Sequence, residues 1–524
     1  MGRINLLDCT LRDGGYINNW EFGENAIRQI LVKLAKTKIE MIEIGFIKGD
    51  EYNPNQTLFP DTDSFCNVII QKDDEVKYLG MLDMSKPVSV DKIRKRHDGT
   101  IDGIRVIFKQ NKIDEAYEYC QHIKKMGYDL YVNFVNTDCY TDKEFIEGIE
   151  KFNVLNPTGM TIVDTFGMIK RKQFLRLVAL ADHNMNSDSM LCYHAHNNLQ
   201  QAFGNAEALV EMNFSRDICI DACVFGMGRG AGNLNLELFA EYMNENHDKK
   251  YRISPMLEIM DEFLSGFYKN KFWGYSLPLY LSATTGCHPN YAIYLAEKHT
   301  LTEKAFGELL NSISNEDKLV FSQEKADGYY RNYFEHYIDD KEDIGRLSQI
   351  FGRKTVLLLA PGKTLMDNKE DILSFLHRHE DIITVSLNFY LPELPSDYIF
   401  TSNMRRYRQL PSVTNAKIIA TSNIISEVKA DFYINYSTYT CSHESILDNA
   451  GVMSLKLFSE MSVSKVFVAG MDGYGGDFES NYYNIEYENQ QQGNYEVKNA
   501  CVSFEIKNLM KYMDIEFITP SKYQ

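Results

Sequence analysis

Short apolar or β-branched runs alternate with helix-patterned segments through the first part of the chain. The runs are Ile4 to Thr10, Met41 to Phe46, Val76 to Leu82, Gly103 to Phe108, Asp129 to Val135, Gly159 to Thr165, Ser189 to His196 and Asp217 to Gly226. Their starts lie roughly 26 to 37 residues apart, the repeat of a β-strand plus a crossover helix. Eight such units close most simply into a parallel (β/α)8 TIM barrel, with a doubly wound sheet as the alternative.

From 301 to 350 the pattern turns polar, aromatic and helical, over Leu301 to Ile313 and Asp327 to Tyr337, with Asp339-Asp340-Lys341-Glu342-Asp343 as a charged joint. A second alternation follows, with short strands expected at Lys354 to Ala360, Ile382 to Asn388, Tyr398 to Ser402, Lys417 to Ala420, Phe432 to Asn435 and Lys465 to Gly470. Strands this short, interleaved with helices, predict an open, Rossmann-like α/β sheet. The chain therefore divides into a barrel at 1–300, a helical extension and linker at 301–350, and an α/β domain at 351–524.

Composition narrows the function classes. The 524 residues are 44% hydrophobic and 24% charged, an ordinary soluble balance able to bury sizeable cores. A net charge of −18 disfavours nucleic acid and anionic membrane as partners, and no basic patch of useful size offsets it. The ten cysteines form no CxxC pair and the first residues run straight into a strand, which suits a reducing cytoplasm. No apolar run approaches the ~20 residues that span a bilayer.

In a parallel barrel, chemistry collects at the C-terminal ends of the strands. His194-Ala195-His196 ends the seventh run, and residues i and i+2 of a strand project from one face, so both imidazoles can reach one divalent ion. Strand one ends in Asp8-Cys9-Thr10-Leu11-Arg12-Asp13-Gly14-Gly15. Strands two, four and six carry Glu43, Arg105 and Asp164, candidate substrate-binding groups, although Asp164 and Glu43 could equally orient loop backbone. Strand eight runs into Gly228-Arg229-Gly230-Ala231-Gly232-Asn233, a glycine-rich loop ending in a potential oxygen ligand. Gly362-Lys363-Thr364 fails as a P-loop, because the glycine required five residues before Gly362 is Leu357. No nucleotide cofactor is expected in the barrel.

Leu7-Asp8-Cys9-Thr10-Leu11-Arg12-Asp13-Gly14, His194-Ala195-His196-Asn197-Asn198 and Gly228-Arg229-Gly230-Ala231-Gly232-Asn233 together resemble the DRE-TIM metallolyases, the HMG-CoA-lyase-like barrels, and within them the 4-hydroxy-2-oxovalerate aldolases. The resemblance implies that Asp13, His194 and His196 hold Mn²⁺ or Mg²⁺, that Asn233 is a ligand or near-ligand, and that Arg12 faces an enolate. Mixed carboxylate and imidazole ligands suit either ion, and zinc would also bind them. Two departures bear on mechanism. A histidine that the aldolases place after the Arg-Asp-Gly segment is here Tyr16, whose ordinary pKa near 10 suits a donor or acid better than a base. The cysteine of the HMG-CoA-cleaving lyases is absent from the 228–230 loop, which argues against that activity. Beyond the barrel, Tyr280 matches an entrance tyrosine of the aldolases, and His288 is a further acid/base candidate.

In the second domain, Ala360-Pro361-Gly362, Ser386-Leu387-Asn388, Asp397 to Asn403 and Gly470 to Tyr474 resemble sialyltransferase-related and motility-associated glycosyltransferase-like domains. That resemblance implies a nucleotide or sugar nucleotide at the strand ends. The combined expectation is a cytoplasmic carbon–carbon lyase of the metal-dependent aldolase type. It would act on a 2-keto acid and an aldehyde, in surface carbohydrate biosynthesis. Two alternatives stand beside it: an acetyl-CoA-dependent Claisen condensation of the isopropylmalate-synthase kind, and a non-catalytic barrel attached to a glycosyltransferase-like domain. Oligomeric state is left open, a homo-oligomer included.

Overall fold

A computed structural model describes residues 2–524 other than 70–71, 299–300, 335–337, 412–413, 426–427, 442, 476–480 and 488–493. The chain divides into two compact units, Met1–Asn290 and Tyr291–Gln524.

The first unit is the eight-stranded parallel barrel. Its strands are β1 (Ile4–Asp8), β2 (Met41–Ile47), β3 (Lys77–Asp83), β4 (Gly103–Phe108), β5 (Asp129–Phe134), β6 (Gly159–Asp164), β7 (Met190–Ala195) and β8 (Ile218–Ala222). Each pairs in parallel with its neighbour. β1 bonds both to β2, through Leu7 opposite Met41, and to β8, through Leu7 opposite Asp221, so the sheet closes. A two-residue strand, Leu58–Phe59, adds to the edge of β2.

Period-2 alternation sorts these residues. Leu6, Ile42, Ile44, Ile104, Val106, Ile162 and Ile220 point outward into the layer shared with the helices. Leu7, Met41, Leu79, Tyr131, Cys192 and Cys219 point inward and fill the barrel. A strand dry on both faces reads as an unbroken apolar run, which is why all eight stood out. The connecting helices use local signals as well. The helix Asp142–Asn153 opens on a capping box, in which the Thr141 side chain accepts from the Glu144 N–H and the Glu144 carboxylate accepts from the Thr141 N–H.

The second unit carries a seven-stranded parallel sheet: β9 (Thr355–Leu359), β10 (Ile383–Leu387), β11 (Tyr398–Thr401), β12 (Lys417–Thr421), β13 (Phe432–Ile434), β14 (Lys465–Ala469) and β15 (Asp514–Phe517). Its order is β13-β12-β11-β10-β9-β14-β15. Six of these strands coincide with the expected ones. The seventh, β15, went unrecognised because it is a short edge strand in which Asp514 and Glu516 alternate with the apolar positions and meet Lys465.

Within the stretch expected as extension and linker, helices cover Glu303–Ser312, Gln323–Phe334 and Lys341–Phe351. The end of the segment expected to run to Tyr337 lies outside the described residues. The acidic joint ties down the sheet edge, since Asp343 and Asp340 accept the Tyr433 and Asn435 N–H groups of the edge strand β13 and its exit, at 2.9 and 2.8 Å. Among the described residues, no helix is long and apolar enough to cross a membrane.

Candidate metal centre and active site

Inward parity builds the site. Cys192 and His194 share the inner face of β7, and His196 continues it one step beyond the strand. Cys219 and Asp221 do the same on β8, while Glu43 and Arg105 enter from β2 and β4. The loop after β1 folds over this ring. Asp13 N–H donates to Cys9 O at 2.7 Å, and Trp20 Nε1 donates to Arg12 O at 2.7 Å.

The side chains form one connected, buried array. Arg12 donates from Nε to Glu43 at 2.6 Å and from Nη1 to Asp13 Oδ2 at 2.9 Å. Arg105 lies 3.3 Å from the same Glu43 oxygen and donates to Asp221. His194 bridges two carboxylates, with Nε2 2.9 Å from Asp13 Oδ2 and Nδ1 3.1 Å from Asp221 Oδ2. His196 Nε2 lies 3.4 Å from Asp13 Oδ2, and its Nδ1 lies 2.7 Å from Thr165 O. A carbonyl only accepts, so Nδ1 carries the proton and Nε2 turns a lone pair inward. Asn233 donates from Nδ2 to Met227 O at 3.1 Å, which leaves its Oδ1 as the inward group.

These residues fit a divalent cation. The ligand atoms of Asp13, His194 and His196 all lie within 4.8 Å of one another. Asp13 Oδ1, His196 Nε2 and Asn233 Oδ1 are buried without a hydrogen-bond partner, a costly state for three acceptors unless a cation meets them. Charge agrees. The carboxylates of Asp13, Glu43 and Asp221 outnumber the guanidiniums of Arg12 and Arg105 by one.

Burial works against the Asp13 carboxylate, yet Arg12 and the two histidines hold it well below the usual range. Burial likewise disfavours a charged His194, but its bonds to Asp13 and Asp221 hold its pKa well above the usual value. That proton stands where the charge of an ion would fall. Cys9, His194 and Asp221 form a second group of ligand type. Burial pushes the Cys9 thiol up, however, so it stays protonated and is the poorer ligand.

The remaining candidates divide. Tyr16 stands at the rim, its ring 4.8 Å from Trp20 with the Arg229 guanidinium 5.7 Å over its face. Burial, then Asp13, pushes its phenol up to about 12, so it remains protonated at neutral pH. His288 contacts Arg229 and packs edge-on to Phe166 at 5.5 Å; burial, then Arg229 and Lys109, pull it down to about 2 and leave it neutral.

Asp164 is turned away from the array. Its two oxygens accept the Met168 and Ile169 N–H groups at 2.8 and 3.0 Å, so it orders the loop after β6. Tyr280 is 42% exposed and touches Tyr275, and among the described residues no hydrogen bond or ring contact joins it to the array. Asp221 escaped sequence reasoning altogether, although a lone carboxylate at an inward position of an apolar strand was the signal that could have found it.

Residues 106–261 match the HMGL-like family model. The N-terminal half thus carries an HMGL-like domain with distant aldolase relatives. The 4-hydroxy-2-oxovalerate aldolase of Pseudoalteromonas translucida is 23% identical over 263 residues, 49% of this chain and 75% of that protein. The enzyme of the same name from Thermomicrobium roseum is 27% identical over 260 residues, 48% of this chain and 69% of that one. Among solved structures, the N-terminal domain of a proposed aldolase from Bacteroides vulgatus aligns at 23% identity with a TM-score of 0.48, covering 56% of this chain and 96% of that one. The HMG-CoA lyase of Brucella melitensis aligns at 15% identity and 0.41, over 52% and 99%.

Apart from the HMGL-like domain, the second unit has a cavity of about 500 Å³ at the carboxyl ends of its strands. It opens between β9 and β14, where the strand order reverses and the two exit loops part, the usual place for ligands in an open parallel sheet. Ala360-Pro361-Gly362, Asn388, Asn403 and Gly470 to Tyr474 all line it. The two loops are tied: Gly362 N–H donates to Gly470 O and Thr364 N–H to Asp472, both at 2.8 Å. Gly470 has φ of +71°, and a Cβ there would stand 2.1 Å from Ala360 O, so only glycine permits this approach.

Proposed function

We propose that the HMGL-like barrel is a divalent-metal-dependent aldolase or lyase that forms or cleaves the carbon–carbon bond next to a 2-keto acid through a pyruvate enolate. The observation that carries this reading is the buried group of Asp13, His194 and His196, with the unpartnered Asn233 Oδ1 beside it and Arg12 against Asp13. A Mn²⁺ or Mg²⁺ held by these residues would supply Lewis-acid chemistry to the keto acid.

In the cleavage direction the 4-hydroxyl gives up its proton to solvent, the C3–C4 bond breaks as the aldehyde forms, and the electron pair passes through C3 to the C2 oxygen. A proton delivered to C3 completes pyruvate. Arg12 supplies a fixed cation at that oxygen. Glu43 and Asp13 hold its guanidinium, so no reorganisation is needed as charge develops. Tyr16, protonated at neutral pH, is the proton donor to C3. Neutral His288 stands as a hydrogen-bonding group for the substrate's 4-oxygen. Glu43 and Arg105 set the floor of the keto-acid site, and we assign no step to Tyr280 or Asp164. The cavity at the strand ends of the second unit supports reading that unit as a nucleotide- or sugar-nucleotide-binding domain. A carbohydrate aldehyde or product follows from that reading.

Proton NMR of pyruvate in D2O tests the reaction. With Mg²⁺ the methyl protons exchange, and a chelator, Asp13→Ala or His194→Ala abolishes the exchange. No exchange at any metal loading overturns the reading. Release of free CoA from acetyl-CoA and a 2-keto acid, detected with a thiol reagent, would establish Claisen chemistry in its place.

A further inference from the structure

The barrel mouth holds a half-buried cation that the enolate chemistry does not use. Arg229 is half-buried in the loop after β8, and among the described residues no carboxylate forms an ion pair with it. Among the described residues, its guanidinium meets the face of Tyr16 and the imidazole of His288. The imidazole is a poor partner. Its Nδ1 also faces the Asn290 N–H at 3.2 Å, and a neutral ring has one acceptor nitrogen to share between two donors. Burial pulls the Arg229 pKa below its usual value, with Tyr16 and Asp13 acting the other way, as befits a cation withdrawn from water without an anion.

The loop backbone is tied down around this side chain. Asn198 Oδ1 accepts the Ala231 N–H at 2.8 Å, and Gly232 N–H donates to Arg229 O at 3.1 Å. Gly230, at φ +65°, leaves no room for a Cβ, which would stand 2.7 Å from Asn198 Oδ1. The backbone that carries the guanidinium is therefore set in advance of any ligand. Its place is also informative. Arg12 and the metal-type ligands lie at the carboxyl ends of the strands, and Tyr16, His288 and Arg229 stand together on the loops above them.

Resting on the aldolase reading, we propose that Arg229 selects an acceptor aldehyde bearing an anionic group, a carboxylate or a phosphate, at the end remote from its carbonyl. The anion would take the guanidinium from His288, leaving the ring's acceptor nitrogen to a single donor, and form charge-assisted hydrogen bonds to a planar donor fork.

Two readouts on the full chain test this. The first is kcat/KM for condensation of pyruvate with succinate semialdehyde, glyceraldehyde 3-phosphate and propanal. One anionic aldehyde is preferred over the neutral one by about 10- to 100-fold, the worth of hydrogen bonds to a charged group, and the arm that gains names the anion. Arg229→Met brings the ratio close to one and Arg229→Lys keeps part of it. The second is calorimetric binding of the unreactive alcohols 4-hydroxybutyrate, glycerol 3-phosphate and glycerol with pyruvate and Mg²⁺ present, which needs no turnover. Equal affinity for charged and neutral alcohols, or a preference that Arg229→Met leaves unmoved, overturns the assignment. Absence of pyruvate proton exchange overturns the aldolase reading instead, and the binding ratio still decides the role of Arg229.

Discussion

The two ends of the barrel treat buried charge in opposite ways. At the base, the buried Asp102 and the half-buried Glu40 have their carboxylates fully engaged. Asp102 accepts from Lys72 and Arg96, both at 2.8 Å, and from the Tyr78 N–H at 2.9 Å. Glu40 takes Lys249, Tyr251 and the Leu6 N–H. At the mouth, Asp13, Glu43, Asp221, His196 and Asn233 each keep a buried oxygen or nitrogen without a partner. Both ends are built from strand termini of one sheet, so the difference is not architectural. A base that only holds the fold pairs its carboxylates with cations and N–H groups; a mouth that must receive something leaves acceptors waiting.

The largest expected effect comes from removing one of those acceptors. Asp13→Ala should lower metal-dependent pyruvate proton exchange at least ~1000-fold, since it removes a ligand and one of the two carboxylates that hold Arg12. The same variant should lose the rise in melting temperature that Mn²⁺ gives the wild type, because an ion that binds only the folded state stabilises it by mass action. An unchanged Mn²⁺-dependent rise in Asp13→Ala would show that the acceptors at the mouth are not waiting for a metal.

How much of this contrast could be read in advance depends on the residue. The eight strands were legible because both faces of each are dry, and Arg12-Asp13 and His194-x-His196 because they cluster chemistry at strand ends. Asp221 was hidden, since one carboxylate inside Ile218–Ala222 says nothing of whether Arg105 and His194 stand opposite. Asp164 stayed undecided in the sequence for the converse reason. A carboxylate at a strand end looks the same in sequence whether it faces a substrate or, as here, accepts two N–H groups of its own loop. Tyr280 shows that matching an aromatic by order along the chain does not bring its side chain to the site. Pairing across the barrel is three-dimensional information, and only local spacing is written in the chain.

The next effect belongs to the base. Arg216 gives five hydrogen bonds, to Asp182 Oδ1 and O, Met185 O, Asn186 O and Ser189 O. Arg216→Met strips buried carbonyls of their donor and should cost about 3 kcal/mol. Both tryptophans, Trp20 and Trp273, lie in the barrel unit, so urea unfolding followed by tryptophan fluorescence reports on that unit. The pyruvate exchange rate of the folded variant should stay near the wild-type rate. A loss of exchange larger than the loss of stability would break the separation between the two ends.

The smallest effect tests the base through pH. Burial raises the Asp102 pKa, but Lys72, the Tyr78 N–H and Arg96 outweigh it, and the folded value lies below the ordinary one. A carboxylate depressed in the folded state contributes its stability above the unfolded value, near 3.9 for Asp, and loses it as pH falls through the folded value. Asp102→Asn should therefore be less stable than the wild type by about 1–3 kcal/mol between roughly pH 5 and 7, the worth of hydrogen bonds to a charged group. The gap should close as pH drops below about 4, where the wild type takes up the proton that the variant never needed. Urea midpoints by tryptophan fluorescence across that range give the comparison. A gap that is constant with pH would mean that Asp102 acts by shape rather than charge, and that the base is satisfied without being ionised.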